Sequence, residues 1–187
     1  MFISTYEIRT PRLLGNRDIL HKLVMLMFNN KRSEEKVLFA VTGTRLIVQS
    51  LNKPQKSPKD LKLISLYDTS TMLDKFSNGS ILTMYSVFEP TVCCSGNKKN
   101  LIRNCMDRID WVNRKFNEFA EVMSVNEVAK DDIKIVKNSG DERRTSLFGY
   151  VIKIKIEDID MFKKVLVDGI GRSKAYGAGL NLIMNAS

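Results

Sequence analysis

Residues 169–180 read Gly-Ile-Gly-Arg-Ser-Lys-Ala-Tyr-Gly-Ala-Gly-Leu, so four of the ten glycines of this 187-residue chain fall in one twelve-residue stretch. Such a run cannot sit inside a helix or a central strand without cost, so it marks a loop. Glycine also lets backbone approach a ligand or another backbone closely and leaves its N–H groups accessible. Arg172 and Lys174 lie between the two glycine pairs. Alternation of glycine with cations makes a surface suited to phosphate, although two cations can fall in a glycine turn by chance. The elements on either side are distinct. Leu147–Ile156 alternates Phe148, Tyr150, Ile152, Ile154 and Ile156 against Gly149, Lys153 and Lys155, which reads as a strand with a partly basic face. Asp158 or Asp160 can cap a helix to about Val167, and Leu180–Met184 returns as a strand.

The rest of the chain repeats this mixture of elements. Residues 2–8 alternate as a strand, Pro11 and Gly15 interrupt it, and Asn16 can cap a helix from about Arg17 to Phe28. Leu20, Leu23, Val24 and Met27 form that helix's apolar stripe, and His21 lies on its flank. A core-edge histidine with a satisfied hydrogen bond is the commoner explanation for such a position. Val37–Val41 and Arg45–Gln49 read as a hairpin joined at Thr42-Gly43-Thr44. Ile81–Phe88 is a further strand, and a helix within Leu61–Phe76 would complete a first βαββαβ unit. A long helix is expected over about Asn100–Met123, with Trp111 opposite its apolar face beside Arg108 and Lys115. There Trp111 could stack on a base or pack against another domain. The expected organisation is an α+β chain of two tandem ferredoxin-like (RRM-like) domains: 1–90, a linker at 91–99, and 100–187 carrying the glycine-rich loop 169–180.

Composition narrows the function. The 30 Lys+Arg against 21 Asp+Glu give a formal charge of +9, which favours polyanionic partners. No apolar run is long enough to span a bilayer and the N-terminus lacks signal-peptide features, so a cytoplasmic protein without membrane association is expected. With three cysteines, no Cys-x-x-Cys and one histidine, neither a structural metal nor another cofactor is expected. His21 is therefore the only candidate for imidazole acid–base chemistry. The terminal loop lacks the Gly-x-x-x-x-Gly-Lys-Ser/Thr of a phosphate-binding P-loop. Lys174-Ala-Tyr-Gly-Ala-Gly179 resembles the acyl-CoA loop of N-acetyltransferases, though only eight residues follow Gly179.

Taken together, the glycine loop, the helix histidine and the segment Ile109-Asp-Trp-Val-Asn-Arg-Lys-Phe116 resemble the CRISPR-associated RAMP endoribonucleases, and most closely their CasE type. That type is the CRISPR RNA processing subunit of the type I-E Cascade complex. Leu147-Phe-Gly-Tyr-Val151 looks like the family's strand before the last helix, and Val87-Phe-Glu-Pro90 sits where the family has a strand ending in Asn-Pro. His21, seven residues before Phe28, matches the family's catalytic histidine. The family's helper tyrosine, about one turn before the histidine, is replaced here by the region of Asp18 and Leu20. Met84, Tyr85 and Val87 stand where the family's strand carries arginines. Asp18 would either orient His21 or repel RNA. The resemblance implies metal-independent cleavage of a CRISPR repeat hairpin at its base, with RNA in a basic cleft between the domains and other Cascade subunits as partners. His21 would act as acid or base and Lys174 would steady the charge on the phosphate. Lys22, Gly169, Gly171, Arg172, Ser173, Gly177 and Gly179 would hold the RNA backbone. The alternatives are a non-catalytic RNA-binding RAMP subunit and, further off, an acyl-CoA-dependent N-acetyltransferase.

Overall fold

The structure, a computed structural model, describes residues 1–94 and 99–186. Residues 95–98 of the expected linker lie outside the described residues. The chain forms two four-stranded antiparallel sheets that share one topology. The first is built from β1 (Phe2–Ile8), β2 (Leu38–Thr42), β3 (Arg45–Ser50) and β4 (Leu61–Asp68), in the order β2-β3-β1-β4. The second is built from β5 (Ile81–Phe88), β8 (Ala120–Val136), β9 (Glu142–Ile156) and β10 (Asn181–Ala186), in the order β10-β5-β9-β8. Numbered within its own unit, each sheet runs 4-1-3-2, the arrangement of a ferredoxin-like βαββαβ fold. A two-stranded ribbon, β6 (Thr91–Cys93) with β7 (Lys99–Leu101), lies between the units in sequence.

Three sequence expectations change. The segment Leu61–Asp68 is strand rather than helix, and only Ser70–Leu73 makes a helical turn. Leu61 and Leu63 repeat with period two and lie opposite Ile8 and Tyr6 of β1, a spacing that suits a pleated edge and not a helix. The first unit therefore lacks its second helix. Ile81–Phe88 does not close the first sheet: it pairs with β9 and β10 and is the first strand of the second unit. Both faces of this strand are occupied. Leu82, Met84 and Phe88 enter the second unit's core, while Tyr85 and Val87 enter the seam between the sheets. The long helix expected over 100–123 is shorter, spanning Cys105–Phe116. It is capped by the Asn104 side chain, which accepts from the N–H of Met106 and Asp107. The chain then turns into the 17-residue β8.

Three capped helices pack on the sheets, one in the first unit and two in the second. In the first, a short turn at Arg12–Gly15 precedes the helix Arg17–Met27. Leu20, Val24 and Met27 are fully buried there against Tyr6, Phe39, Leu46 and Val48. In the second, the helices Cys105–Phe116 and Ile159–Asp168 bury Val112, Phe116, Phe162 and Leu166 against Ile152, Ile154 and Ile156 of β9. Asp158 caps the latter, accepting from Met161 N–H at 2.9 Å. A third cluster joins the units. It combines Leu38 and Ala40 of β2, Val87 of β5, Leu147 of β9 and the Ala178–Leu180 stretch.

The β8–β9 hairpin runs beyond its sheet, and its end, residues 131–138, grips the helix Arg17–Met27. Asn16 does two jobs there. Its Oδ1 caps the helix by accepting from Asp18 N–H at 3.0 Å and also accepts from Val136 N–H at 3.0 Å, while its Nδ2 donates to the Val136 carbonyl at 3.1 Å. Arg17 pairs with Asp131, and Lys22 Nζ donates to Asn138 Oδ1 at 2.6 Å. Loss of a cap together with partly buried cross-unit bonds should be felt globally. Asn16→Ala is expected to lower stability by about 1–3 kcal/mol, read as a fall in the urea midpoint with an unchanged m-value. An unchanged midpoint would show that this clasp contributes nothing.

Candidate active site

Gly169 ends the helix Ile159–Asp168 at φ 71°, and the glycine-rich segment then enters the seam between the sheets. Its glycines are needed for close packing. A Cβ on Gly169 would lie 2.6 Å from the Gly179 carbonyl oxygen and against Leu38, so no other residue fits without displacing backbone. Gly171 rests on the Trp111 indole, 3.2 Å from where its Cβ would be. Trp111 is thus buried in the second unit's core beside Phe88, under the loop, and not displayed among cations for base stacking. The N–H groups of Gly169 and Gly179 donate to the carbonyls of Val165 (2.8 Å) and Val87 (2.7 Å). These two glycines therefore fix the loop's shape, and their amides are spent on the preceding helix and on β5.

Between the glycine pairs the chain makes one 3-10 turn, Lys174–Tyr176. Ser173 opens it in the left-handed region at φ 56°, a costly conformation for a non-glycine residue. What holds it is Glu89. This carboxylate is 1% exposed and accepts from Ser173 Oγ, from Thr145 Oγ1 at 2.5 Å and from Arg143 Nη2. Arg143 Nη1 also reaches Ser173 Oγ at 3.5 Å. The strand end Phe88-Glu89-Pro90 is thus the anchor of the loop.

The turn carries Tyr176 to the first unit's helix, where its ring meets His21 edge-on, centroids 5.9 Å apart at 66°. His21 is half-buried on the flank of the apolar stripe, as its spacing implied. Asp18 is buried, and its carboxylate pairs with Lys22 at 2.6 Å. Lys22, itself half-exposed, thus shares its ammonium between Asp18 and Asn138. Lys174 lays its stem across Gly179 and donates from Nζ to the Asp168 carbonyl at 2.7 Å, a cation at a helix C-terminus. A hydrogen bond from Lys36, 2.9 Å away, is the first cause holding the Asp168 carboxyl below its ordinary range. Arg172 is exposed at the loop's tip, and Gly177 sits against the Phe39 ring. The fold therefore brings His21, Ser173 and Tyr176 to one seam, with Arg143 beside them. Tyr176, Glu89 and Arg143 were not singled out from sequence. The signal for Glu89 was its place before Pro90, and for Tyr176 its place inside the glycine segment.

The acyl-CoA reading requires a loop that opens a helix. Here the loop follows a helix and leads into β10, so the geometry does not support it. Among the described residues there is no cluster of three or more His, Cys, Asp or Glu placed to hold a metal ion, and no helix long and apolar enough to cross a membrane.

A profile of the family described as CRISPR associated protein matches residues 1–184. The chain belongs to that family. Its fold is shared with solved structures over nearly the whole length. Superposition on the CRISPR endoribonuclease Cse3 bound to 19 nt RNA gives a TM-score of 0.83 at 15% identity, covering 99% of this chain and 100% of that one. Cas6e from Escherichia coli str. K-12 gives 0.78 at 19% identity, covering 98% of each chain. A chain of a CRISPR RNA-guided surveillance complex gives 0.76 at 18% identity, again covering 98% of each. No curated sequence matches significantly. At such identities the shared fold is carried by the packing described above and not by sequence.

Glu89 is the part of this CRISPR-associated chain on which the loop most visibly depends. Glu89→Ala leaves Arg143, Thr145 and Ser173 without their shared acceptor. It is expected to cost about 1–3 kcal/mol and to raise amide hydrogen exchange across residues 171–177 more than in the sheets. Uniform exchange changes, or none, would contradict the anchoring role.

Proposed function

We propose that this chain is a metal-independent endoribonuclease that cuts CRISPR repeat RNA at the base of its hairpin. The observation that carries the reading is the meeting of the chain's one imidazole, His21, with Tyr176 of the glycine loop. The fold around them is matched end to end by proteins described as CRISPR endoribonucleases. RNA brings its own nucleophile. The 2′-hydroxyl oxygen bonds to the adjacent phosphorus, the bond from phosphorus to the 5′-oxygen breaks, and the products are a 2′,3′-cyclic phosphate and a 5′-hydroxyl. One proton leaves the 2′-oxygen and one reaches the 5′-oxygen. The protein must therefore supply an acid–base group, a fixed geometry and positive charge near the phosphate.

His21 serves as the acid–base group, since an imidazole changes charge near neutral pH. The Tyr176 ring, locked by the loop, orients the imidazole in the role that a tyrosine on the helix would otherwise fill. Lys174 stabilises the charge that builds on the phosphorane. To do so its ammonium swings from the Asp168 carbonyl towards the RNA or shares the two. Lys22, Arg172, Arg143 and the exposed face of the loop hold the RNA backbone, consistent with the net charge of +9. The partners on this reading are the repeat RNA and the other subunits of a Cascade-type surveillance complex, in which a matching chain is found.

With His21→Ala, repeat RNA is expected to bind within a few-fold of wild type. Single-turnover cleavage in EDTA should fall by at least ~100-fold, within the range general acid–base catalysis supplies. Wild type should cut in the same buffer and leave a cyclic phosphate. Cleavage by the variant at the wild-type rate would remove His21 from the mechanism. A strict magnesium requirement in wild type would remove the mechanism itself.

A further inference from the structure

Arg17 is one helical turn before His21, about 6 Å along the axis. Its side chain is 4% exposed. Nη2 pairs with Asp131, but Nε and Nη1 are buried and have no hydrogen-bond partner among the described residues. Buried guanidinium N–H groups without acceptors are costly, and native proteins rarely leave them so without a functional reason. Arg17 lines a cleft of about 300 Å³ between the two sheets. Val41, Val87 and Leu147 make apolar walls, and Tyr85 stands over Gly149. Gly177 lines the same cleft and directly follows Tyr176, which places the cleft one residue along the chain from the His21–Tyr176 pair.

The chemistry of the lining selects the occupant. A phosphate would meet apolar walls and the Asp131 carboxylate, which already offsets the charge of Arg17, while Lys130, the other cation of the lining, is paired with Asp132 at 2.9 Å. A flat ring suits a space walled by Val41, Val87, Leu147 and Tyr85, and its polar edge suits a donor and an acceptor set side by side. We propose that this cleft receives one unstacked nucleobase, from a nucleotide next to the one held at His21, and that Arg17 with Asp131 reads its edge. Guanine is the preferred base. Its O6 and N7 accept from a guanidinium, and its N1–H and N2–H groups donate to a carboxylate. The nature of the ligand rests on the RNA-processing reading above. The pocket would make Arg17 a specificity-determining residue, separate from the residues assigned to chemistry.

The test uses the full chain carrying His21→Ala to stop turnover, and the hairpin RNA of the repeat encoded beside the gene. An abasic site is placed in turn at each flanking single-stranded nucleotide and at the closing base pair, and equilibrium affinity is measured for each. With Arg17 intact, one position should lose ~10-fold or more, and replacing guanine there by adenine should lose a similar factor. Arg17→Lys keeps a cation for Asp131 but removes the planar fork, so the penalty at that one position should shrink to within about three-fold. Val41→Phe, which fills the cleft and leaves the Arg17 residue unsubstituted, should erase the same penalty. This second variant keeps the test decisive if Arg17→Lys folds poorly. Penalties that are equal at all positions, or unaltered by both variants, overturn the proposal, as does a position indifferent to base identity. Wild-type cleavage without such a position would refute the pocket and leave the nuclease reading standing. An Arg17-dependent position in RNA that wild type never cuts would do the reverse.

Discussion

The placement of every group at the site depends on the burial of the glycine segment in the seam between the two sheets. Ala178 and Leu180 are inserted among Leu38, Ala40, Val87 and Leu147, so the segment belongs to neither unit alone. This is hydrophobic packing, roughly 25 cal/mol for each square ångström removed from water. It works only because the backbone can lie against Leu38, Phe39 and Trp111 where a Cβ would collide or crowd. Glycines that a sequence reading associates with phosphate are here first a packing requirement. On the proposed reading, the surface left for RNA is the tip, with Arg172, and the side that Arg143 flanks.

Polar contacts then sharpen what packing brings near. The Glu89 carboxylate gathers Ser173, Thr145 and Arg143, and Asn16 ties the helix bearing His21 to the hairpin end at Val136. One clasp fixes the loop and the other fixes the helix, and both run to strands of the second unit. Because Arg143 is half-exposed, its ion pair is screened and contributes less than the burial of Glu89 suggests. The value of the cluster is geometric: it holds Ser173 in a left-handed conformation that the chain would not adopt unaided. A site assembled from two units in this way can align an imidazole, an aromatic ring and cations drawn from opposite ends of the chain.

Much of this was legible locally. The Asn16 cap, the Thr42-Gly43-Thr44 hairpin, the alternation of β9 and the capped helix before Gly169 all follow from short-range patterns, and each is present. The pairing of strands was not legible, because register is set across the chain. Ile81–Phe88 looks the same whichever sheet it joins. The strand Ala120–Val136 escaped because its middle, residues 126–132, is mostly polar and two register shifts interrupt the alternation, which returns only at the buried Ile133 and Ile135. Phe119, just before the strand, and Met123 within it carry the helix's apolar spacing a turn too far. His21 and Lys174 were visible as residue types, but Tyr176 gains meaning only when the loop folds back on the first helix. Arg17 is written as an ordinary first-turn residue, and only the fold shows two of its donors buried over a cleft.

The central claim is that the loop delivers Tyr176 to His21. His21 is the sole histidine, so its imidazole carbon-bound protons give an unambiguous NMR signal in the intact protein. An aromatic ring 5.9 Å away and edge-on imposes a ring-current shift on those protons. Replacing Tyr176 by leucine should move both resonances by an amount easily resolved while leaving the β9 amide resonances in place. Imidazole signals that do not move on this substitution, in a protein whose sheets are otherwise unchanged, would contradict the account.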